Sequence, residues 1–296
     1  MSQDKRTKKK KIVAVTVICL IAAALIVGIV LTDPLYTNPE SISEVMKDAV
    51  LHGENRIDFF GLEVNPSFIS AVCVTIILLV FAAVVRIFVI PRFKTIPGKF
   101  QMFLETIVGM FDGLAQKNSP HRNDFLGAYI FAAGCYIFVG TIFELVGIPV
   151  QAVSGVSISL PAPLADINAA IALGFLSYFV IVSGGIASNG LRGLGLALKD
   201  FSLPISMSFR LFGAMLSGLL VTELVYYYLA LSFVLPVIVD VLFTLLHALI
   251  QSYVLVMLTS MFYGEVTEPH VKHAKKRKSA SKNRPIVNNN TAQQEV

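Results

Sequence analysis

Residues 12–31 read I-V-A-V-T-V-I-C-L-I-A-A-A-L-I-V-G-I-V-L without a single charge, and five more apolar stretches follow at 68–90, 125–147, 167–187, 201–229 and 233–264. A helix needs about 20 mainly apolar residues to cross the hydrocarbon of a bilayer. These runs meet that length, and no single soluble core could hide them all. The expected fold is therefore an all-α polytopic membrane protein with about six membrane helices, the first of them an N-terminal anchor. Composition agrees: 55% of residues are hydrophobic and 15% charged. The formal net charge of +5 does not point to nucleic acid, because the basic residues gather in short clusters beside the apolar runs. That pattern sets topology. Cys19, Cys73 and Cys135 all lie inside apolar runs at spacings that suit neither a metal nor a disulfide, so they read as small buried hydrophobes.

Residues 1–31 comprise K-R-T-K-K-K-K and the first span, which reads as an uncleaved anchor because no small-x-small cleavage site follows it. Residues 32–66 hold Asp33, Glu40, Glu44, Asp48, Glu54, Asp58 and Glu63 against only Lys47 and Arg56, and are expected outside. After the second span, Phe100, Phe103, Ile107, Phe111 and Leu114 recur at helical spacing, which predicts one amphipathic helix on the inner surface or packed on its neighbours. The membrane domain is placed at 67–265, and 266–296 forms a basic cytoplasmic tail expected to be disordered. With both termini inside, every basic cluster falls on the cytoplasmic side. The last two apolar segments are too long for perpendicular helices, so they tilt or run partly in the membrane plane, and a long tilted hairpin is expected.

Arg210 stands in the middle of one of these segments, within P-I-S-M-S-F-R-L-F-G-A-M-L-S-G-L-L-V at 204–221. A charge at the centre of a spanning helix costs about 2.5–3.5 kcal/mol on insertion scales. Snorkelling to an interface is the plain alternative, but Arg210 lies well inside its segment. Arginine keeps its proton in proteins, so it cannot relay one. As a fixed cation it lowers the pKa of a nearby carboxylic acid by about 1–3 units, which strips a proton from a passing acid. At 100° per residue Ser206, Gly213, Ala214, Ser217 and Val221 share its face. Such a stripe serves either static packing or the close approach of another helix.

In the last segment Asp240, Thr244, His247 and Gln251 recur at spacings of four, three and four, forming one file about 16 Å long. If the two segments fold back near 230–232, positions whose numbers sum to about 461 lie at equal depth. Arg210 is then level with Gln251, and Glu223 is near Asp240 towards the outside. The ladder resembles half of a proton path, with His247 either a relay group or a buried neutral histidine.

S-F-R-L-F-G-A-M-L-S-G-L at 208–219 and L-I-Q-S-Y-V-L-V-M-L-T-S-M-F at 249–262 resemble subunit a of the membrane sector of F-type ATP synthases, supported by P-G-K-F-Q at 97–101 and A-D-I-N-A-A-I-A-L at 165–173. The resemblance implies that Arg210 faces the acid-bearing ring of c subunits. It implies a b-type stator subunit and, indirectly, the F1 sector as further partners, the bilayer and no nucleic acid, no metal or other cofactor, and residence in a bacterial plasma membrane. Gln251 matches the family's glutamine, and Asp166 and Asn168 match its D-x-N element. Departures are equally specific. Ala214 replaces an asparagine, and Leu219 stands where an acid or histidine is usual, with Glu223 one turn on. Thr244 stands where a histidine or glutamate is usual, with His247 one turn on. The chain is thus expected to be a non-catalytic, proton-translocating stator channel. The competing readings are a secondary transporter binding an anion at Arg210 and a structural scaffold.

Overall fold

The computed structural model describes residues 56–227 and 235–269, apart from 60, 122, 154 and 156, together with a few isolated positions before 56. The expected anchor at 12–31 and the basic tail lie almost entirely outside the described residues. Five helices among those described are long and apolar enough to cross a membrane. The fold is all-α and polytopic, with two small β-hairpins the sequence reading missed.

The first hairpin pairs β1 (Ile57–Phe59) with β2 (Leu62–Val64). Helix α1 (Pro66–Val84) starts where the Asn65 side chain accepts the Ser67 N–H at 3.1 Å and Pro66 takes the first turn. It loosens into a π turn at Val85–Val89 and a 3-10 turn at Ile90–Arg92. Pro91 is the cause, since it lacks an N–H and its ring crowds the carbonyl four residues back. Gln101 fixes the next corner: it accepts from the Lys94 backbone N–H at 3.1 Å and donates to the Lys94 carbonyl at 3.0 Å. The amphipathic helix expected after the second span is α2 (Lys99–Asn118), with Phe100, Met102 and Phe103 exposed.

Helix α3 (Asp124–Glu144) leads into β3 (Pro149–Gln151) and β4 (Ser157–Ser159), the second hairpin. The two hairpins touch, the Val153 N–H donating to the Arg56 carbonyl at 2.8 Å. Ile57 is buried with Val74, Phe143 and Leu160. Helix α4 (Ile167–Asn189) stops at Gly190, whose φ of 60° suits glycine. A short helix, α5 (Leu191–Lys199), then precedes α6 (Ser202–Tyr227) and the 33-residue α7 (Leu235–Thr267).

Helix α7 is the backbone of the bundle and packs on α3, α4 and α6. Its last carbonyls are taken by Asn189 at the end of α4, whose amide donates to Val266 at 2.9 Å and Glu268 at 3.0 Å. Asn118 ties α2 to the same helix by donating to Ser260 Oγ at 2.9 Å. Where α4 and α5 meet, Gly193 lies directly on the backbone of Gly185, so a methyl group at 193 would overlap the Gly185 carbonyl oxygen. Neither atom belongs to a side chain that could swing away. Gly193→Ala is therefore expected to destabilise the chain by about 1–3 kcal/mol, the usual cost of overpacking. A lowered thermal midpoint of the purified chain would register it, and an unchanged midpoint would contradict so close an approach.

Candidate functional site

Helices α6 and α7 run side by side, and residues from both line one small cavity. Gly218, Leu219 and Thr222 come from α6, and Asp240, Thr244 and His247 from α7, with Met215 and Phe243 as apolar walls. Gly218 of α6 lies against His247 of α7, and their numbers add to 465, within about one turn of the sum expected for the antiparallel hairpin. The cavity measures about 10 Å3, which is about one water molecule.

The third wall is α3, with Thr141 and Glu144. Glu144 was not among the residues picked out from the sequence. The available signal was that it is the one charged residue in 125–147. Inside the cavity Thr244 Oγ1 donates to Asp240 Oδ1 at 3.4 Å, a long bond between consecutive members of the polar file. The His247 ring leans on Phe243, with centroids 5.9 Å apart. A Cβ built at Gly218 would lie 3.6 Å from His247 Nδ1, in ordinary contact with the ring. The hydroxyl of Thr141 is already committed to the Ile137 carbonyl at 2.7 Å.

Arg210 does not line this cavity. It lies on the opposite, uncovered side of α6, where Ser206, Gly213 and Ser217 are also exposed and Ala214 is half-buried. Met207, Leu211 and Met215 turn the other way and are buried. Arg210 has no ion-pair or hydrogen-bond partner among the described residues, and nothing stands within 4 Å of a Cβ built at Gly213. Of this face only Ala214 packs on a core cluster, and Arg210, Ser206, Gly213 and Ser217 stay exposed among the described residues. Gln251 is 7% exposed and Thr244 6%, so the file on α7 runs from the half-buried Asp240 into the bundle.

Two expected residues serve locally. Asp166 caps α4, its carboxylate accepting the Asn168 backbone N–H at 3.0 Å and the Asn168 side-chain amide at 3.2 Å. Neither residue lines the cavity. Glu223 lies on α6, with its side chain outside the described residues. Among the described residues no group of three or more His, Cys, Asp or Glu could hold a metal ion.

The family model for the ATP synthase A chain matches residues 68–264, which takes in every long helix described here. The chain belongs to that family. Curated relatives agree. ATP synthase subunit a of Actinobacillus pleuropneumoniae serotype 3 is 25% identical over 69% of this chain and 88% of its own length. That of Glaesserella parasuis serovar 5 is 26% identical with the same coverage. The relative from Propionigenium modestum, named ATP synthase subunit a, sodium ion specific, is 24% identical over 78% of this chain and 86% of its own. Membership of the ATP synthase A chain family makes this a multi-pass, ion-translocating subunit of the membrane sector, acting with other subunits in ATP synthesis. Leu219 and Thr244, two of the three positions at which the sequence departs from the pattern that its resemblance implies, line the cavity that also holds His247 and Glu144; Ala214 does not.

Proposed function

We propose that the chain is the stator channel of a bacterial rotary ATP synthase, giving protons access to and from c-ring carboxylates through two half-channels that Arg210 separates. The observation that supports this reading is the two-sidedness of α6: a cation with no partner among the described residues on an exposed, mostly small-residue face, and a polar cavity on another side. A guanidinium held in hydrocarbon is costly, so an uncovered one calls for an acid from elsewhere. Ring helices that carry one acid each meet that need, and Ser206, Gly213, Ala214 and Ser217 let them approach.

Protons enter from the outside through the cavity. Glu144 and Asp240 stand at it with Thr244 and His247, and Glu223 belongs to the same entrance. The inlet acid usual at position 219 is a leucine here, and Glu144 supplies a carboxylate at the same cavity from α3. Beyond the cavity Gln251 continues the file to the depth of Arg210, while Asp166 and Asn168 hold the start of α4. Each proton neutralises a ring carboxylate and is carried round through lipid. It leaves on the inner side when Arg210 again favours the ionised form. The membrane potential contributes about 2.3 kcal/mol per charge per 100 mV. The chain makes and breaks no covalent bond; ATP chemistry belongs to the F1 sector, reached indirectly, with a b-type subunit completing the stator. Both termini lie in the cytoplasm.

The test is dependence on the ring. The full chain purified alone into vesicles should move no solute, and the complex with its ring should pump protons on ATP addition. Solute uptake by the chain alone would mean a secondary transporter. Within the complex, Glu144→Gln, Glu223→Gln and His247→Ala should each slow pumping by about 100-fold or more, on the scale of losing one proton-transfer group. Normal quenching of a pH-sensitive dye in any one of them removes that residue from the path.

A further inference from the structure

We propose that the open face of α5 binds the headgroup of an anionic phospholipid in the leaflet at that end of the bundle. The helix connects α4 to α6, two candidate spans, so it lies at the membrane boundary. Its packing is one-sided. Gly193 and Ala197 are buried, Gly193 on Gly185, while the Tyr178 hydroxyl donates to the Ala197 carbonyl at 3.1 Å.

The uncovered side has two edges. At 100° per residue Leu191 and Leu198 point within about 20° of one another, as do Arg192 and Lys199, and the two pairs stand about 100° apart with Gly195 between them. Leu191 is 87% exposed, Leu198 53%, and Phe201, just beyond the helix, 51%. Arg192 and Lys199 are exposed too, and neither has an ion pair among the described residues. The acids near them are the half-buried Asp200, next in sequence, and Glu268, whose backbone carbonyl accepts from the Asn189 side chain at 3.0 Å; neither forms an ion pair with Arg192 or Lys199 among the described residues.

A soluble anion would satisfy the cations and leave both leucines in water. A neutral lipid would cover the leucines and give the two cations no net counter-charge. An anionic phospholipid answers both edges, with acyl chain on Leu191 and Leu198 and phosphate between Arg192 and Lys199. The aliphatic stems of the two cations lie along the boundary between those layers. This inference does not depend on the rotary reading.

The chain contains no tryptophan, so Leu198→Trp places a single reporter on this face. The full chain carrying it is reconstituted in mixtures of brominated and unbrominated phosphatidylglycerol and phosphatidylcholine, and quenching of the indole gives the relative affinity of the two lipids. Phosphatidylglycerol is expected to be preferred, by about fivefold per cation if each contributes about 1 kcal/mol. Adding Arg192→Gln and Lys199→Gln should bring the ratio to about one, and Arg192→Lys alone should preserve the preference. Equal affinities before those changes, or a preference that survives them, overturns the proposal. So does an indole that no brominated lipid quenches in the assembled complex, because a protein then covers the face.

Discussion

Arg210→Ala is expected to abolish ATP-driven proton pumping by a complex that still assembles. The argument is electrostatic. A guanidinium close to a carboxyl group lowers its pKa by about 1–3 units, which is a 10- to 1000-fold change in the fraction that releases its proton at a given pH. Without it a ring acid arriving at α6 stays protonated, and nothing prevents a proton from passing directly between the two access paths. Two signals should therefore change together: dye quenching on ATP addition disappears, and passive proton leak through the membrane sector persists or rises. Folding is a weak objection, since Arg210 is exposed and has no partner among the described residues whose loss would unfold the bundle. Full pumping by the alanine variant, with the ring co-purifying, would leave the chain a scaffold.

The second large effect is expected at Gly218. A Cβ there makes ordinary contact with His247 Nδ1 at 3.6 Å, so Gly218→Ala should leave proton flow within a few-fold of normal. Leucine adds three more carbons to a cavity of about 10 Å3, room for one water. Gly218→Leu should expel that water and separate Glu144 and Asp240 from His247, cutting proton flux at least tenfold. Since Arg210 is untouched, the slowed variant should remain coupled, with hydrolysis and pumping falling in step. Equal rates for glycine, alanine and leucine would show that the path does not pass through this cavity.

What could be read from sequence divides along a physical line. The long helices were visible because a bilayer-length apolar run is a local property, and the bounds of α3, α4, α6 and α7 fall close to the runs that announced them. The face of Arg210 was visible because helical periodicity alone decides which residues share it. The side-by-side packing of α6 and α7 followed from the position of the break, with Gly218 meeting His247 about one turn from the expected register. Glu144 was missed because its importance depends on which helix packs across from it, and spacing within one helix does not reveal that. Helix α5 was missed because it is only nine residues long, far short of a membrane span, and two of those residues are glycine, a poor helix former. The hairpins, built of three-residue strands, are too short for an alternating pattern to stand out.

The length of α7 has a consequence for where ions can enter and leave. At 33 residues it is about 50 Å long, while a bilayer with its headgroups is about 40–45 Å thick. If it stays within that thickness, the rod leans by at least about 26°, and its two ends stand about 22 Å or more apart when viewed from above the membrane. On the proposed route, a portal near Asp240 and a portal near the opposite end would then open at different map positions, not one beneath the other. A proton crossing by this route is obliged to make a detour, and a turning ring is what would carry it the rest of the way.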